Sequence, residues 1–186
     1  MPESADPTTA TTATSIQTPS PIHVRTARVD DAPEIARIHN QGIEERSATF
    51  ETELRSPEQV ARRIGATRPP IMVAERGGAV IGWAGVSREN NRCAQSGVGE
   101  YTIYVDREAR GTGVGVPLLE ALVARAQDLG YWKLLGRIFS TNESSLALAR
   151  RCGFYEVGLH RRHGRIANEW MDVLVVERLL GDAASD

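Results

Sequence analysis

Stretches of alternating apolar and polar residues are interspersed along the chain with stretches whose apolar residues recur at helical spacing. Residues 23–29 alternate and are rich in β-branched side chains, which predicts a first strand. Ile35, Ile38 and Ile43 then approximate one apolar face of a helix. Residues 56–64 begin with a Ser-Pro pair and predict a second helix.

The middle of the chain predicts a hairpin followed by a further strand. Two apolar runs, residues 71–76 and 79–87, are joined by Gly77 and Gly78. A two-residue glycine turn between apolar runs is a strong hairpin signal. After a polar segment, residues 100–106 predict the next strand.

The second half of the chain continues the mixture of helices and strands. A glycine-rich segment opens an apolar helix that runs to Gly130, and residues 132–140 predict a strand. Residues 142–152 predict a helix, and two closing strands follow at 154–163 and 169–179. This order predicts an α/β protein with one mixed sheet and helices on both of its faces.

Composition limits the classes of protein to which the chain can belong. Its 186 residues, 41% of them apolar, suit one soluble globular domain, which we place at residues 23–180. Residues 1–22 are rich in Thr, Ala, Ser and Pro and predict a disordered tail, and residues 181–186 predict a flexible C-terminus. No apolar run approaches the roughly 18 residues that a membrane-spanning helix needs, so we expect no membrane association.

Charge and metal-ligating residues exclude further partners. The formal net charge is −2 and the basic residues are scattered, which argues against a nucleic-acid partner. Cys93 and Cys152 form neither a disulfide framework nor a zinc pattern, which predicts a reducing cytoplasm. His160 and His163 lack further ligands at defined spacing, so we expect no metal site.

The segment from Arg110 to Gly115 carries the strongest functional signal. It places three glycines between a strand and a helix, where the first N–H groups of the helix have no intrahelical acceptor. Without Cβ atoms a ligand can touch this backbone, and the helix dipole favours an anion, so a pyrophosphate fits. A Walker loop would need a Lys-Ser/Thr pair where Val116 and Pro117 stand, and the spacing fits a Rossmann fingerprint poorly.

The same segment after the strand "YTIYVD" resembles the acyl-CoA signature of the GCN5-related N-acetyltransferase (GNAT) superfamily. The resemblance covers residues 23 to about 180 and is closer to the phosphinothricin acetyltransferase branch, including its arsinothricin acetyltransferase relatives. It is carried by "IHNQGIEERSATFE", "GEYTIYV", "FSTNESSLALARRCGF" and "EWMDV". It implies a GNAT fold: a mostly antiparallel sheet of about seven strands, with two central strands that splay to form an acyl-CoA cleft.

The resemblance also implies acetyl-CoA as co-substrate and residues that bind it. The splayed strand would pair its backbone with the pantetheine arm, the glycine segment would wrap the pyrophosphate, and an asparagine that also suits a helix N-cap would contact the arm. The positions that match are Ile103, Tyr104, Val105, Arg110, Gly111, Thr112, Gly113, Val114, Gly115 and Asn142.

Glu100 is the candidate catalytic base. It matches the proposed base of the phosphinothricin branch, and a carboxylate near an apolar cleft suits removal of a proton from an amine. The chain departs from the family at Ala149, where relatives often have a residue that protonates the departing thiolate. Tyr101, Tyr104 and His163 are alternatives that the sequence does not rank.

Acceptor recognition is less determined by the sequence. Phosphinothricin and arsinothricin carry a carboxylate and a second anionic group, which an arginine would bind; Arg92 and Arg88 are the candidates, and Phe50 could wall the site. The open hypotheses are an acetyltransferase for such a toxin that confers resistance, one for another small amine such as methionine sulfoximine, and a CoA-binding regulatory module without catalysis. The family resemblance suggests a homodimer.

Overall fold

The computed structural model describes residues 20–65, 70–88 and 93–185. Most of the predicted N-terminal tail and the candidate Arg92 lie outside these ranges. The strands are β1 (His23–Thr26), β2 (Ile71–Arg76), β3 (Ala79–Arg88), β4 (Val98–Val105), β5 (Lys133–Phe139), β6 (Tyr155–Ile166) and β7 (Glu169–Leu179). The helices are α1 (Ala32–Glu45), α2 (Pro57–Gly65), α3 (Gly115–Asp128) and α4 (Glu143–Arg151).

The seven strands form one sheet in the order β1-β2-β3-β4-β5-β7-β6. Neighbouring strands are antiparallel except β4 and β5, which run parallel and are connected by α3. The predicted single mixed, mostly antiparallel sheet is confirmed, as is the order of helices and strands along the chain.

The hairpin of β2 and β3 turns at the two glycines that predicted it. Gly77 and Gly78 have φ angles of 58° and 83°, a left-handed conformation that residues with a Cβ rarely adopt. The turn sets the register in which Arg76 pairs with Ala79. Glycine at both positions thus determines where the two strands begin to pair.

Helices cover both faces of the sheet, and each face has its own core. Alternation along β3 separates the two cores, because Trp83 points to one face and Ala84 to the other. The first core joins α1 and α2 to the sheet through Ile35, Ile38, Val60, Val73 and Trp83. The second joins α3 and α4 to it through Leu118, Leu122, Leu146, Ala84 and Tyr101.

The last described residues lie against α3. Gly181–Ala184 form a short 3-10 helix, and the Gly181 N–H donates to the side-chain oxygen of Gln127 at 3.3 Å. The flexibility of this segment stays a prediction. No helix in the described ranges is long and apolar enough to cross a membrane.

Candidate functional site

The central feature of the site is a gap between β4 and β5. Residues 98–100 pair with residues 133–135, and within the described ranges the two strands make no further pairs. β4 nevertheless continues to Val105 and stays paired with β3 from Gly99 to Val105. The edge of β4 that faces β5 is therefore open beyond Glu100, as the predicted splay requires.

Strand alternation decides which backbone groups of β4 face this gap. In an antiparallel ladder, alternate residues turn both the N–H and the C=O toward the same neighbour. The Asp106 N–H donates to the Ile81 carbonyl of β3 at 2.9 Å, so the backbone of Tyr104 also faces β3. Ile103 and Val105 face the gap. Of the three predicted backbone positions, Tyr104 contributes to the site through its side chain instead.

A cavity of about 260 Å³ opens at the gap. Residues 100–104 of β4 and 137–139 of β5 line it, and the loop after α1 closes one side with residues 48–51. Asn142 at the start of α4 and His163 of β6 complete the wall. The cavity thus joins the candidate base, the predicted Phe50 and the predicted Asn142 in one site.

Glu100 occupies the last position of β4 that pairs with β5. It lies opposite Ser87 of β3 and Leu135 of β5. Its carboxylate forms an ion pair with the Arg137 guanidinium, and both side chains are about one third exposed. The surroundings are thus more polar than the apolar cleft expected from the sequence.

Arg137 is a cavity residue that the sequence reasoning missed. The signal that could have found it is the alternation of β5. Leu134 and Ile138 point into the core under α3 and α4, so Arg137 and Phe139 must point to the other face. Glu100 and Tyr104 also point to that face.

Tyr101 approaches the cavity from the face opposite to Glu100. Its ring packs against Phe154 with the centroids 4.8 Å apart, within the core that α3 and α4 cover. A Cβ added to Gly136 of β5 would lie 2.8 Å from Tyr101 Oη, so the glycine makes room for the phenol. Burial raises the pKa of Tyr101, which keeps the hydroxyl protonated at neutral pH.

Tyr104 belongs to the other core. Its ring stacks on Trp83 at 5.6 Å and lies 4.7 Å from His39 of α1. Burial raises the pKa of Tyr104 to about 12. The two tyrosines of β4 that could serve the leaving group are thus on different faces of the sheet.

Phe50 forms the outer wall of the cavity. Its ring meets Phe139 edge-on with centroids 4.8 Å apart and lies 6.2 Å from the His163 ring. The side chain is 38% exposed, so it is accessible to a ligand in the cavity. Its contact with an acceptor stays a prediction.

Glu51 is a second carboxylate in the cavity wall that the sequence reasoning did not identify. His39 Nε2 lies 3.2 Å from Glu51 Oε2, and Arg55 Nη2 lies 2.6 Å from Oε1. The hydrogen bond with His39 and, after it, that with Arg55 lower the pKa of Glu51 to about 2. His39 is only 2% exposed and holds the cavity loop against α1. Glu51 therefore stays anionic with its charge compensated.

The glycine segment leads directly into the start of α3. Gly111 and Gly113 have φ angles of 73° and 86°, and a Cβ added to either would meet no described atom within 4 Å. Val114 is the N-cap of α3, and its side chain caps no N–H. The N–H groups of Gly115 and Val116 therefore remain available, and the space beside the glycines could admit an anion.

Two arginines stand beside this segment. Arg110 Nη1 lies 2.7 Å from Glu45 Oε2, and its Nε donates to the Val105 carbonyl at 3.1 Å. Arg76 Nη2 lies 3.1 Å from Thr112 Oγ1. Arg76 was not predicted, because it is distant in sequence and only the hairpin brings it to the segment.

Asn142 has the capping role predicted for it. Its Oδ1 accepts the Ser145 N–H at 3.1 Å at the start of α4. Its Nδ2 donates to the Ser47 carbonyl at 3.2 Å, which ties α4 to the loop over the cavity. Because Asn142 also lines the cavity, a contact with a ligand is compatible with the cap.

Comparison with known proteins gives this arrangement a family. Residues 38–154 match the family model described as "Acetyltransferase (GNAT) family". The chain belongs to the GNAT family. The predicted fold and the predicted acyltransferase class are thereby confirmed, and the CoA-binding module without catalysis is not needed to explain the sequence.

Individual GNAT relatives are similar over most of the chain. A phosphinothricin N-acetyltransferase of Alcaligenes faecalis is 32% identical over 84% of this chain and 82% of its own length. An L-methionine sulfoximine/L-methionine sulfone acetyltransferase of Pseudomonas aeruginosa is 32% identical over 83% and 92%. The crystal structure of a phosphinothricin acetyltransferase from Sinorhizobium meliloti in complex with AcCoA is 33% identical, covers 89% and 91%, and has a TM-score of 0.81.

The residues of this GNAT protein fit acetyl-CoA on structural grounds. The open edge of β4 offers the N–H and C=O groups of Ile103 and the N–H group of Val105, whose carbonyl accepts from Arg110. Beyond it, Gly111 and Gly113 leave space at the N-terminus of α3 that side chains would fill. The open edge of β4 could thus bind an extended arm, and the N-terminus of α3 could bind a diphosphate.

Other predicted residues lie apart from this site. Arg88 is exposed at the end of β3 opposite Gly99 and, within the described part of the chain, does not line the cavity. Ala149 is fully buried and Cys152 is buried beside it, which agrees with a packing role for both.

The described residues contain no group of three or more His, Cys, Asp or Glu that could hold a metal ion. The cytoplasmic location stays a prediction.

Proposed function

We propose that this protein transfers the acetyl group of acetyl-CoA to the α-amino group of a small amino-acid-like acceptor. The observation that carries this proposal is the position of Glu100 at the point where β4 and β5 separate, inside a cavity closed by the Phe50 loop. A carboxylate there can meet an amine on one side of the gap and a thioester held in it.

The cofactor is bound mainly by backbone groups in this proposal. Ile103 and Val105 pair with the amide-rich arm in the gap. The segment from Gly111 to Gly115 wraps the diphosphate, and the N–H groups of Gly115 and Val116 at the start of α3 bind it. Arg110 and the unpredicted Arg76 add positive charge beside the diphosphate. Thr112, Val114 and Asn142 complete the predicted binding set.

Glu100 begins the chemistry by removing a proton from the acceptor. An amine at neutral pH is mostly ammonium, R–NH₃⁺, which has no lone pair for attack, so the carboxylate accepts one proton and passes it to solvent. The nitrogen then attacks the thioester carbonyl carbon, forming the C–N bond. The Ile103 N–H, which faces the gap, is the donor placed to stabilise the developing oxyanion.

We assign stabilisation of the departing sulfur to Tyr101. The C–S bond breaks with its electron pair on sulfur, while the nitrogen loses its second proton to the Glu100 carboxylate, which has already passed the first to solvent. Tyr101 Oη donates a hydrogen bond to the sulfur from the face opposite to Glu100, whereas Tyr104 and His163 lie on the acceptor side. Because a thiol has a pKa of about 8.5, below that of a buried tyrosine, solvent supplies the proton that forms the CoA thiol.

The size of the cavity and the names of the relatives support the proposed acceptor class. A cavity of about 260 Å³ suits a small molecule. The relatives' names give phosphinothricin, L-methionine sulfoximine and L-methionine sulfone as acceptors of those proteins. We propose phosphinothricin or arsinothricin, with resistance to the toxin as the consequence, and methionine sulfoximine as the second candidate.

Release of CoA thiol from acetyl-CoA tests the proposal with each of these acceptors and with ordinary amino acids. We expect turnover with at least one amino-acid-like toxin and loss of that turnover in Glu100→Gln. Tight binding of acetyl-CoA without turnover of any acceptor would contradict it.

A homodimer is part of the proposal. The edge strand β6 and its neighbour β7 expose Val157, Leu159 and Trp170, each between 44% and 55% exposed. A second copy that covers this apolar edge would remove it from water. Light scattering after size-exclusion chromatography should give twice the mass of the chain, and a monomer at micromolar concentration would contradict the dimer.

A further inference from the structure

The ion pair of Glu100 and Arg137 spans the gap where β4 and β5 diverge. Glu100 is the last residue of β4 that pairs with β5, at the level of Leu135. Arg137 lies two residues further along β5, on the same face of the sheet. With side chains 29% and 32% exposed, the pair lies in the cavity wall within reach of a bound molecule.

This ion pair competes with the proposed reaction. The carboxylate that must receive the acceptor's ammonium is already in contact with a guanidinium. A plain amine that draws Glu100 away would break this contact, and the loss of a charged hydrogen-bond partner in a partly enclosed site costs free energy. A molecule with an ammonium and a carboxylate on the same carbon offers a new partner to each residue.

We propose that Arg137 binds the carboxylate of the acceptor, so that an amino-acid acceptor replaces the Glu100–Arg137 ion pair with two new ones. The inference rests on the proposed function, in which Glu100 receives the amine. The resting ion pair therefore makes binding selective: α-amino acids bind more favourably than amines that carry no carboxylate.

The chemistry of the cavity favours this assignment. The guanidinium is a planar fork that matches a carboxylate with two parallel hydrogen bonds. Arg137 is the one arginine among the described residues that line this cavity. The other cavity carboxylate, Glu51, is already compensated by His39 and Arg55, so it competes little for the acceptor's charges.

The test compares two acceptors that differ only in the carboxylate: L-methionine sulfone and its carboxamide. Each is titrated by calorimetry into wild type, Arg137→Gln and Arg150→Gln, all saturated with CoA, and kcat/KM is measured in parallel with acetyl-CoA. Arg150 is the matched control, because its guanidinium also pairs with a glutamate, Glu156, but lies outside the cavity.

We expect Arg137→Gln to weaken binding of L-methionine sulfone by about tenfold to a hundredfold, the loss of a charged hydrogen-bonded partner. Binding of the carboxamide should stay unchanged or become tighter, because in this variant Glu100 does not have to give up an ion pair with residue 137 to receive the amine. Arg150→Gln should alter neither. Equal losses for both acceptors, or no loss for the sulfone, would overturn the inference.

The binding data also separate this inference from the proposed function. If the sulfone binds in an Arg137-dependent way but is not acetylated, the inference stands and the proposed acetyl transfer to this acceptor fails. If wild type binds neither the sulfone nor L-phosphinothricin, the inference is overturned. The conservative Arg137→Lys should recover part of the sulfone binding, since it keeps the charge and loses the fork.

Discussion

Alanine substitutions at Gly113 and Gly78 test whether the glycine segment before α3 binds the diphosphate of CoA. Their φ angles are 86° and 83°, and a Cβ added to either meets no described atom within 4 Å. Alanine at each position therefore introduces the same backbone strain and no clash. The left-handed conformation costs an L-residue about 1–2 kcal/mol, partly offset by the lower entropy of the unfolded chain. Both variants should lose about 1 kcal/mol of stability, or roughly 2–4 °C in Tm.

The two variants should differ only in their affinity for CoA. At Gly113 the added methyl group would occupy the space that we assign to the diphosphate, whereas Gly78 lies in the β2–β3 turn. Loss of one charged hydrogen bond corresponds to about 1.5–3 kcal/mol, or a tenfold to hundredfold rise in Kd. Calorimetry with CoA measures this difference. If Gly113→Ala and Gly78→Ala bind CoA equally well, the diphosphate does not lie on this segment.

The remaining predictions concern the reacting groups and the cavity loop. Glu100→Gln should lower kcat by about a hundredfold to ten-thousandfold at unchanged KM for acetyl-CoA; a loss under threefold, less than about 1 kcal/mol, would refute the assignment. Tyr101→Phe should lower kcat about tenfold or more, whereas the buried control Tyr131→Phe should not; equal rates in stopped-flow thiol release would exclude Tyr101. The pKa of Glu51 is lower in the folded state than in the unfolded chain, so ionised Glu51 stabilises the fold. This stabilisation is fully present at pH values above the unfolded pKa and is lost as the pH falls toward the folded pKa of about 2. Urea titrations should show this loss in wild type and a flatter profile in Glu51→Gln.

The fold could be predicted from the sequence because its signals are local. The Gly77-Gly78 turn, the Asn142 cap and the alternation of the strands each depend on a few neighbouring residues, and each is found where it was predicted. The glycine segment likewise depends on a backbone conformation that glycine alone adopts readily, so its place before α3 was visible in the sequence.

The partners of the site residues could not be predicted in the same way. Arg137 meets Glu100 because two strands distant in sequence lie side by side, and His39 meets Glu51 because the loop after α1 folds back on the helix. Arg76 reaches Thr112 only through the hairpin. Sequence resemblance pointed to Glu100 as the candidate base but not to the guanidinium beside it, because pairing across the sheet depends on register, which no short motif encodes.

The topology explains why the binding and reacting ends of the site lie where they do. Among the described strands β4 and β5 are the one parallel pair, so α3 must cross over between them and begins beyond the carboxyl end of β4. From Glu100 to Val105 the strand rises about 3.3 Å per residue, or roughly 17 Å in all. A ligand in the gap can therefore place its diphosphate at the start of α3 and its thioester beside Glu100 only if an extended arm of about this length joins them. Because adjacent residues of β4 point to opposite faces, a thioester bound at this point would have the Glu100 carboxylate on one side and the Tyr101 hydroxyl on the other.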